Sequence, residues 1–103
     1  MQNKTILITG AGSGIGKSLA QMLEKDNKLI LIGRDQQKLQ HIKDKNPDHV
    51  DFYICDIANP QHIDETFKSI FKKYDGIDVL INNAGISDAR PFMDYRYEKI
   101  KKI

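Results

Sequence analysis

Residues 6–20, ILITGAGSGIGKSLA, run from a short apolar segment through a cluster of glycines into a stretch with helical spacing. Gly10, Gly14 and Gly16 carry the G-x-x-x-G-x-G spacing of a dinucleotide-binding turn. The overlapping segment Ala11–Ser18, AGSGIGKS, also satisfies a relaxed phosphate-loop pattern: a small residue, four of any kind, then Gly-Lys-Ser. Both patterns rest on the same physics. A tight turn after a strand exposes backbone N–H groups, and the following helix points its positive dipole end at an anion. Gly10 permits the sharp turn, Gly14 lets a phosphate approach the backbone, and Gly16 lets the helix lie close to a sheet. Three glycines at a helix start weaken the fold unless a ligand or close packing compensates.

Around this loop the chain alternates. TILIT (5–9) reads as a strand buried on both faces of a parallel sheet. Ile15, Leu19, Met22 and Leu23 recur at helical spacing, in a helix expected to end near Asp26-Asn27. LILI (29–32) is a second buried strand, and a polar helix follows from about Asp35 to Lys45 with Leu39 and Ile42 inward. Asn46-Pro47-Asp48 is a turn, and Val50–Cys55 is a third strand closed by Asp56. Asn59 caps a helix with Pro60 in its first turn, where the missing N–H costs nothing. Ile63, Phe67, Ile70, Phe71 and Tyr74 form that helix's apolar stripe. Asp75-Gly76 ends it, Val79–Ile81 forms a fourth strand running into Asn82-Asn83-Ala84-Gly85, and residues 94–103 read as a basic helix.

Strand–helix alternation with short connections predicts an α/β fold, a Rossmann-type doubly wound parallel sheet of about four strands. Right-handed crossovers then place ligand sites at the carboxyl ends of the strands. The glycines, Arg34, Asp56 and the Asn-Asn-Ala-Gly segment all fall there.

Composition sets the bounds. With 103 residues the chain is one domain at most, 40% apolar and 29% charged, as in ordinary globular proteins. The net charge of +2 gives no reason to expect a nucleic acid or an anionic membrane as partner. No apolar run reaches the roughly 18 residues of a membrane span, and the N-terminus lacks the apolar region of a signal peptide. The cytoplasm is the expected location. Cys55, the one cysteine, sits in FYICD and reads as a core thiol rather than a nucleophile. No metal site is expected.

The ATP reading gives Lys17 to a γ-phosphate, Ser18 to a magnesium ion and Asp56 to the carboxylate strand of such proteins. It starts from Ala11 instead of glycine, finds no base or water-positioning residue, and leaves Arg34 and the Asn-Asn-Ala-Gly segment without a role. On a helix, Lys17 reads first as a solvated side chain.

The other reading uses every motif. Thr9–Gly16 (TGAGSGIG), Gly33-Arg34, Asp56-Ile57 and Asn82–Gly85 (NNAG) make the chain resemble the short-chain dehydrogenase/reductase family, classical type, from residue 3 to 103. That resemblance implies NAD(P)-dependent oxidoreduction. Gly10, Ser13, Gly14, Ile15 and Gly16 match the family's diphosphate-binding loop, with backbone donors at Ser13 and Ile15. Asp56 resembles the acceptor for the adenine amino group, with Ile57 beside the ring; a strand-end cap is the plainer role for Asp56. Asn83, Ala84 and Gly85 match the segment running past the ribose toward the nicotinamide, and Asn82 resembles a strut between strands. The resemblance also implies the strand order 3-2-1-4. Discrimination between cofactors rests on what meets the adenosine ribose, a carboxylate for a free 2′-hydroxyl or a guanidinium for a 2′-phosphate. Gly33 is not acidic and Arg34 follows, a pattern similar to that of NADP-preferring members. Asp35 complicates this preference, because a shifted turn offers its carboxylate to a ribose diol. NADP is expected ahead of NAD.

The same resemblance points away from turnover. The family's serine and its Tyr-x-x-x-Lys pair belong to elements beyond the fourth strand, and the chain stops at Ile103, before the asparagine of the next helix. Tyr95, Tyr97 and Lys99 read as surface residues, and Ser87 lies far from the serine position. No catalytic residue is therefore expected in residues 1–103, a single, partial NAD(P)-binding domain cut off after the fourth strand and the start of the next helix. Its parent would exchange hydride between NADPH and a carbonyl or alcohol. An uncovered fourth strand is expected to make the isolated chain self-associate or behave as a loose domain. Two other functions stay open at this point: a non-catalytic interaction module docking through that edge, and a small phosphate-loop ATP-binding protein.

Overall fold

Apolar, β-branched runs with no room for solvent on either side form the centre of the molecule. The computed structural model describes residues 2–12 and 14–82. In chain order the elements are β1 (Thr5–Thr9), α1 (Gly14–Leu23), β2 (Lys28–Gly33), α2 (Gln36–Lys45), β3 (Val50–Ile54), α3 (Pro60–Lys73) and β4 (Val79–Asn82). The four strands form one parallel sheet in the order β3-β2-β1-β4, as expected. Ile6, Leu7 and Ile8 of β1 and Leu29–Ile32 of β2 are fully buried, because helices cover both faces.

Strand side chains alternate between two cores. Ile6, Ile8, Leu29, Leu31 and Val50 pack with Ala20 of α1 and with Leu39 and Ile42 of α2. Leu7, Ile30 and Ile32 pack on the opposite face with Ile63, Phe67 and Ile70 of α3. Two helices on one face and one on the other make the sheet doubly wound.

The helix caps follow their sequence signals. The Asn59 side chain accepts from the N–H groups of Gln61 and His62 at 3.1 and 3.2 Å, with Pro60 opening α3. The Asp35 side chain accepts from the Lys38 N–H at 3.2 Å, so α2 begins one residue after it. Phe71 and Tyr74 extend the stripe of α3 as half-buried residues, with the Phe67 and Phe71 rings stacked at 5.8 Å. The third strand ends at Ile54, one residue short of expectation, although the Cys55 N–H still bonds the Gly33 carbonyl at 2.9 Å.

Helix α1 departs from the sequence reading in two ways. It ends at Leu23, where Asn27 donates to the Leu23 carbonyl and accepts from the Lys4 N–H, both at 3.0 Å. Met22, counted among the apolar positions of the helix, is 77% exposed, whereas Gly16 and Ala20 are buried. Two residues correspond to about 200° around a helix, so Met22 and Ala20 face opposite ways. The packed face is a line of small residues four apart, which brings the helix axis close to the sheet.

One polar cluster joins the layers around the sheet edge. Asp51 on β3 accepts from Lys43 of α2 at 3.2 Å, from Lys73 of α3 at 2.7 Å, and from the hydroxyl of Tyr74. Partial burial raises the Asp51 pKa, but the hydrogen bonds from Lys73, Tyr74 and Lys43 outweigh it and hold the carboxyl well below the usual carboxylate range. Among the described residues β3 pairs only with β2, and these lysines also leave its outer edge unattractive to another strand.

Two consequences for stability follow. A carboxyl with a depressed folded-state pKa stabilises the fold above its unfolded value, about 3.9, and that contribution is lost as pH falls below it. Asp51→Asn is therefore expected to cost on the order of 1 kcal/mol at pH 7 and to flatten the fall in stability below pH ~4; urea titrations across that range check it. Gly10 has φ 65°, so Gly10→Ala should cost about 1–2 kcal/mol in the same assay, the penalty of a left-handed backbone for an L side chain.

Candidate functional site

The register of the sheet brings the strand tips to one rim. Thr9 pairs with Ile32 on one side and with Asn82 on the other, and Gly33 pairs with Ile54. The segments that leave these tips are Gly10–Gly12, Arg34-Asp35, Cys55–Ile57 and the end of β4, so three of the four expected site regions converge within the described residues. Ser13, Asn83, Ala84 and Gly85 lie outside the described residues, as do Ser87 and the Tyr95–Lys99 segment.

The glycine loop bends sharply off β1. With Gly10 in the left-handed region, its N–H reaches the Ile32 carbonyl at 2.9 Å, and the Ala11 N–H reaches the same oxygen at 3.4 Å. Ala11 is fully buried, so the loop is pinned down over the end of β2. Gly14 opens α1, and a Cβ added there would meet nothing within 4 Å. That open space lies at a helix N-terminus, where free N–H groups and the helix dipole favour an anion. Neither α1 nor α2 carries an acidic residue in its first turn to repel an anion. Gly16 is buried, in keeping with its expected role in close packing.

At the second tip, Gly33 has space for little more than a methyl, since a Cβ there would lie 3.4 Å from Leu39 Cδ1. Arg34 and Asp35 are exposed. The Asp35 carboxylate engages the first turn of α2, as described, while Arg34 projects from the turn between β2 and the helix. Lys38, three residues after the capping aspartate, sends its stem toward the loop: a Cβ on Gly12 would lie 3.5 Å from both Cβ and Cδ of Lys38. Sequence reading passed over this lysine, although its first-turn position places it at the ligand end of α2. Between α1 and α2 runs a groove of about 260 Å³ lined by Gly12, Lys17, Gln37, Lys38, His41 and Ile42.

At the third tip, Asp56 is half-buried and held locally. Its carboxylate accepts from the Ala58 N–H at 3.0 Å, and its own N–H donates to Nδ1 of His62 at 3.1 Å. The strand-end cap considered for Asp56 is thus present, and it fixes the carboxylate at the rim. Ile57 packs partly against the α3-side core. Burial pushes the Cys55 thiol up, with an opposing bond from Thr66, as fits a core residue beside the site.

The geometry gives the ATP reading no support. Lys17 lines the groove facing α2, and Asp56 follows β3, which β2 separates from the glycine-loop strand. Among the described residues no group of three or more His, Cys, Asp or Glu side chains is placed to hold a metal ion. No described helix is long and apolar enough to cross a membrane.

Known proteins share this arrangement. An uncharacterized oxidoreductase of Staphylococcus aureus strain USA300 is 33% identical over 101 residues, which is 96% of this chain and 44% of that relative. The uncharacterized oxidoreductase DltE of Bacillus subtilis strain 168 is 38% identical over 87 residues, 84% of this chain and 34% of its own length. The chain therefore spans less than half of these relatives. Among solved structures, a metagenomic short-chain oxidoreductase in complex with NADP superposes with TM-score 0.76 at 26% identity, covering 84% of this chain and 41% of that one. A short-chain dehydrogenase from Bacillus anthracis gives TM-score 0.72 at 33% identity, covering 79% and 34%. The sequence profile of the short chain dehydrogenases matches residues 4–103, and with the glycine loop and strand order in place the chain belongs to that family.

Proposed function

We propose that residues 1–103 form one domain, the NADP(H)-binding portion of a short-chain dehydrogenase/reductase whose whole protein exchanges hydride between NADPH and a carbonyl or alcohol. The bound cofactor supplies the hydride; the residues of this stretch bind and orient it. Gly10, Ser13, Gly14, Ile15 and Gly16 receive the diphosphate, Asp56 and Ile57 the adenine, and Asn83, Ala84 and Gly85 the path toward the nicotinamide. No catalytic residue is assigned to this stretch.

The preference for NADP rests on one observation above all. The carboxylate of Asp35, the only acidic side chain next to Arg34, accepts from the Lys38 N–H and caps α2. Gly33 offers no carboxylate either, so Arg34 stands beside one acid that the helix start already engages through Oδ1, which supports a guanidinium for the ribose end. The NADP held by the metagenomic relative supports the same reading. The open space at Gly14 supports a diphosphate there.

Arg34→Ala is expected to weaken NADPH binding by about tenfold to a hundredfold and to leave NADH within about twofold, as read by calorimetry. An unchanged NADPH affinity overturns the assignment. Self-association belongs to the same reading. Among the described residues β4 pairs only with β1, and Val79, Leu80 and Ile81 stay half-buried. The 103 residues expressed alone should elute above monomer mass in light-scattering chromatography, and a monomer with one sharp melt contradicts that.

A further inference from the structure

Asp56 is the first residue past the last ladder bond of β3, which runs from the Cys55 N–H to the Gly33 carbonyl at 2.9 Å. Beyond that bond, the Asp56 carbonyl accepts from the Asn59 N–H at 3.0 Å, and its Oδ1 accepts from the Ala58 N–H at 3.0 Å. Both contacts stay within the turn. The Asp56 N–H instead crosses to α3, where Nδ1 of His62 accepts it at 3.1 Å. His62 is half-buried in the first turn of that helix, and its backbone is fixed at both ends. Asn59 Oδ1 holds its N–H at 3.2 Å, and Thr66 Oγ1 donates to its carbonyl at 2.8 Å. A side chain at this helix position commonly reaches back to the N–H of the cap residue. Here the Asn59 N–H is already taken by Asp56, so the ring reaches past it to the strand end.

We infer that His62 is a positioning residue for the adenine contact of Asp56, and that it holds this aspartate only while its imidazole is neutral. This rests on the role proposed above for Asp56 and adds a residue and a pH dependence to it. Nδ1 accepts the Asp56 N–H only as an unprotonated nitrogen, with the ring proton on Nε2. A second proton turns Nδ1 into a donor facing another donor, and the bond is lost. Imidazoles as a class take that proton around pH 6.5. A protonated ring also changes its preferred partner, because the carboxylate of the same aspartate attracts a cation while the N–H does not. Both effects draw Asp56 from the place that its bonds define. The other titratable groups beside this pair have partners of their own or stay neutral. On α3, Asp64 pairs with Lys68 at 3.0 Å and Glu65 accepts from Gln61 at 3.4 Å. The Cys55 thiol, next to Asp56, is pushed up by burial and carries no charge in this range.

The test uses the whole protein as the cell makes it, with NADP+ and its hypoxanthine analogue, which lacks the adenine amino group, as probes. Both carry the same phosphates, so titration of the phosphates cancels in the ratio of the two affinities. At about pH 7.5 the protein should bind NADP+ about threefold to tenfold more tightly than the analogue, and at about pH 5.5 the two should lie within about twofold. His62→Asn places an acceptor Oδ1 where Nδ1 stood and does not titrate, so it should keep the discrimination at both pH values. His62→Leu should lack it at both. A ratio that acid leaves unchanged in the unmodified protein overturns the inference, as does an equal fall in the Asn variant or a folded Leu variant that discriminates normally. Should the Leu variant fail to fold, the other two measurements decide. If the unmodified protein does not distinguish the probes at about pH 7.5, the role of Asp56 falls and this inference with it, while Arg34→Ala still judges the NADP preference.

Discussion

The Ile32 carbonyl accepts from the N–H groups of both Gly10 and Ala11, and the course of the glycine loop depends on that contact. Residue 10 must hold φ 65° for its N–H to turn inward, a conformation glycine adopts freely and other residues resist. The bond draws the loop sideways over β2 instead of letting it continue beyond β1. Ala11 then drops into the core shared by α1 and α2, fully buried. As a result Gly12 comes under the stem of Lys38. One shared backbone acceptor thus fixes the course of the loop as it leaves β1.

Much of this architecture was legible in the sequence because the signals were local. Asn59-Pro60 and Asp35 announce helix starts through side chains that bond the first free N–H groups, and those bonds form as the residue types demand. The apolar strand runs announced a sheet covered on both faces, and parallel connectivity sent the variable ends to a common rim. The order β3-β2-β1-β4 has a different source: alternation shows that the strands are parallel but not which ones adjoin, so the order came from the resemblance carried by four motifs in register.

What stayed hidden depends on residues far apart in the chain or on facing that periodicity alone misjudges. Met22 follows the apolar spacing of α1 yet is exposed, because the tight helix–sheet approach selects Gly16 and Ala20 as the contact line, and small residues give a weak hydrophobic signal. Asp51 reads as one polar position in an edge strand. Its partners Lys43, Lys73 and Tyr74 come from helices on opposite faces, a meeting that only the wrapped fold reveals. Lys38 was hidden for a related reason. A lysine in a polar helix looks solvated until the neighbouring loop is placed beneath it.

On the NADP reading proposed above, folding and ligand choice are coupled at the start of α2. Arg34 and Asp35 are adjacent, with opposite charges and opposite preferences at a ribose. In an unstructured turn their fields would largely cancel for an approaching phosphate, and an aspartate free to rotate would also accept from a ribose diol. Capping limits that freedom, since one oxygen of the carboxylate is held at the Lys38 N–H, at the positive end of the α2 dipole. The same bond orients the lysine whose stem lies over Gly12. On that reading, a contact that starts the helix also limits how freely this acid competes for a ribose. On this view the order of charges along the chain matters less than which of them the fold has already engaged.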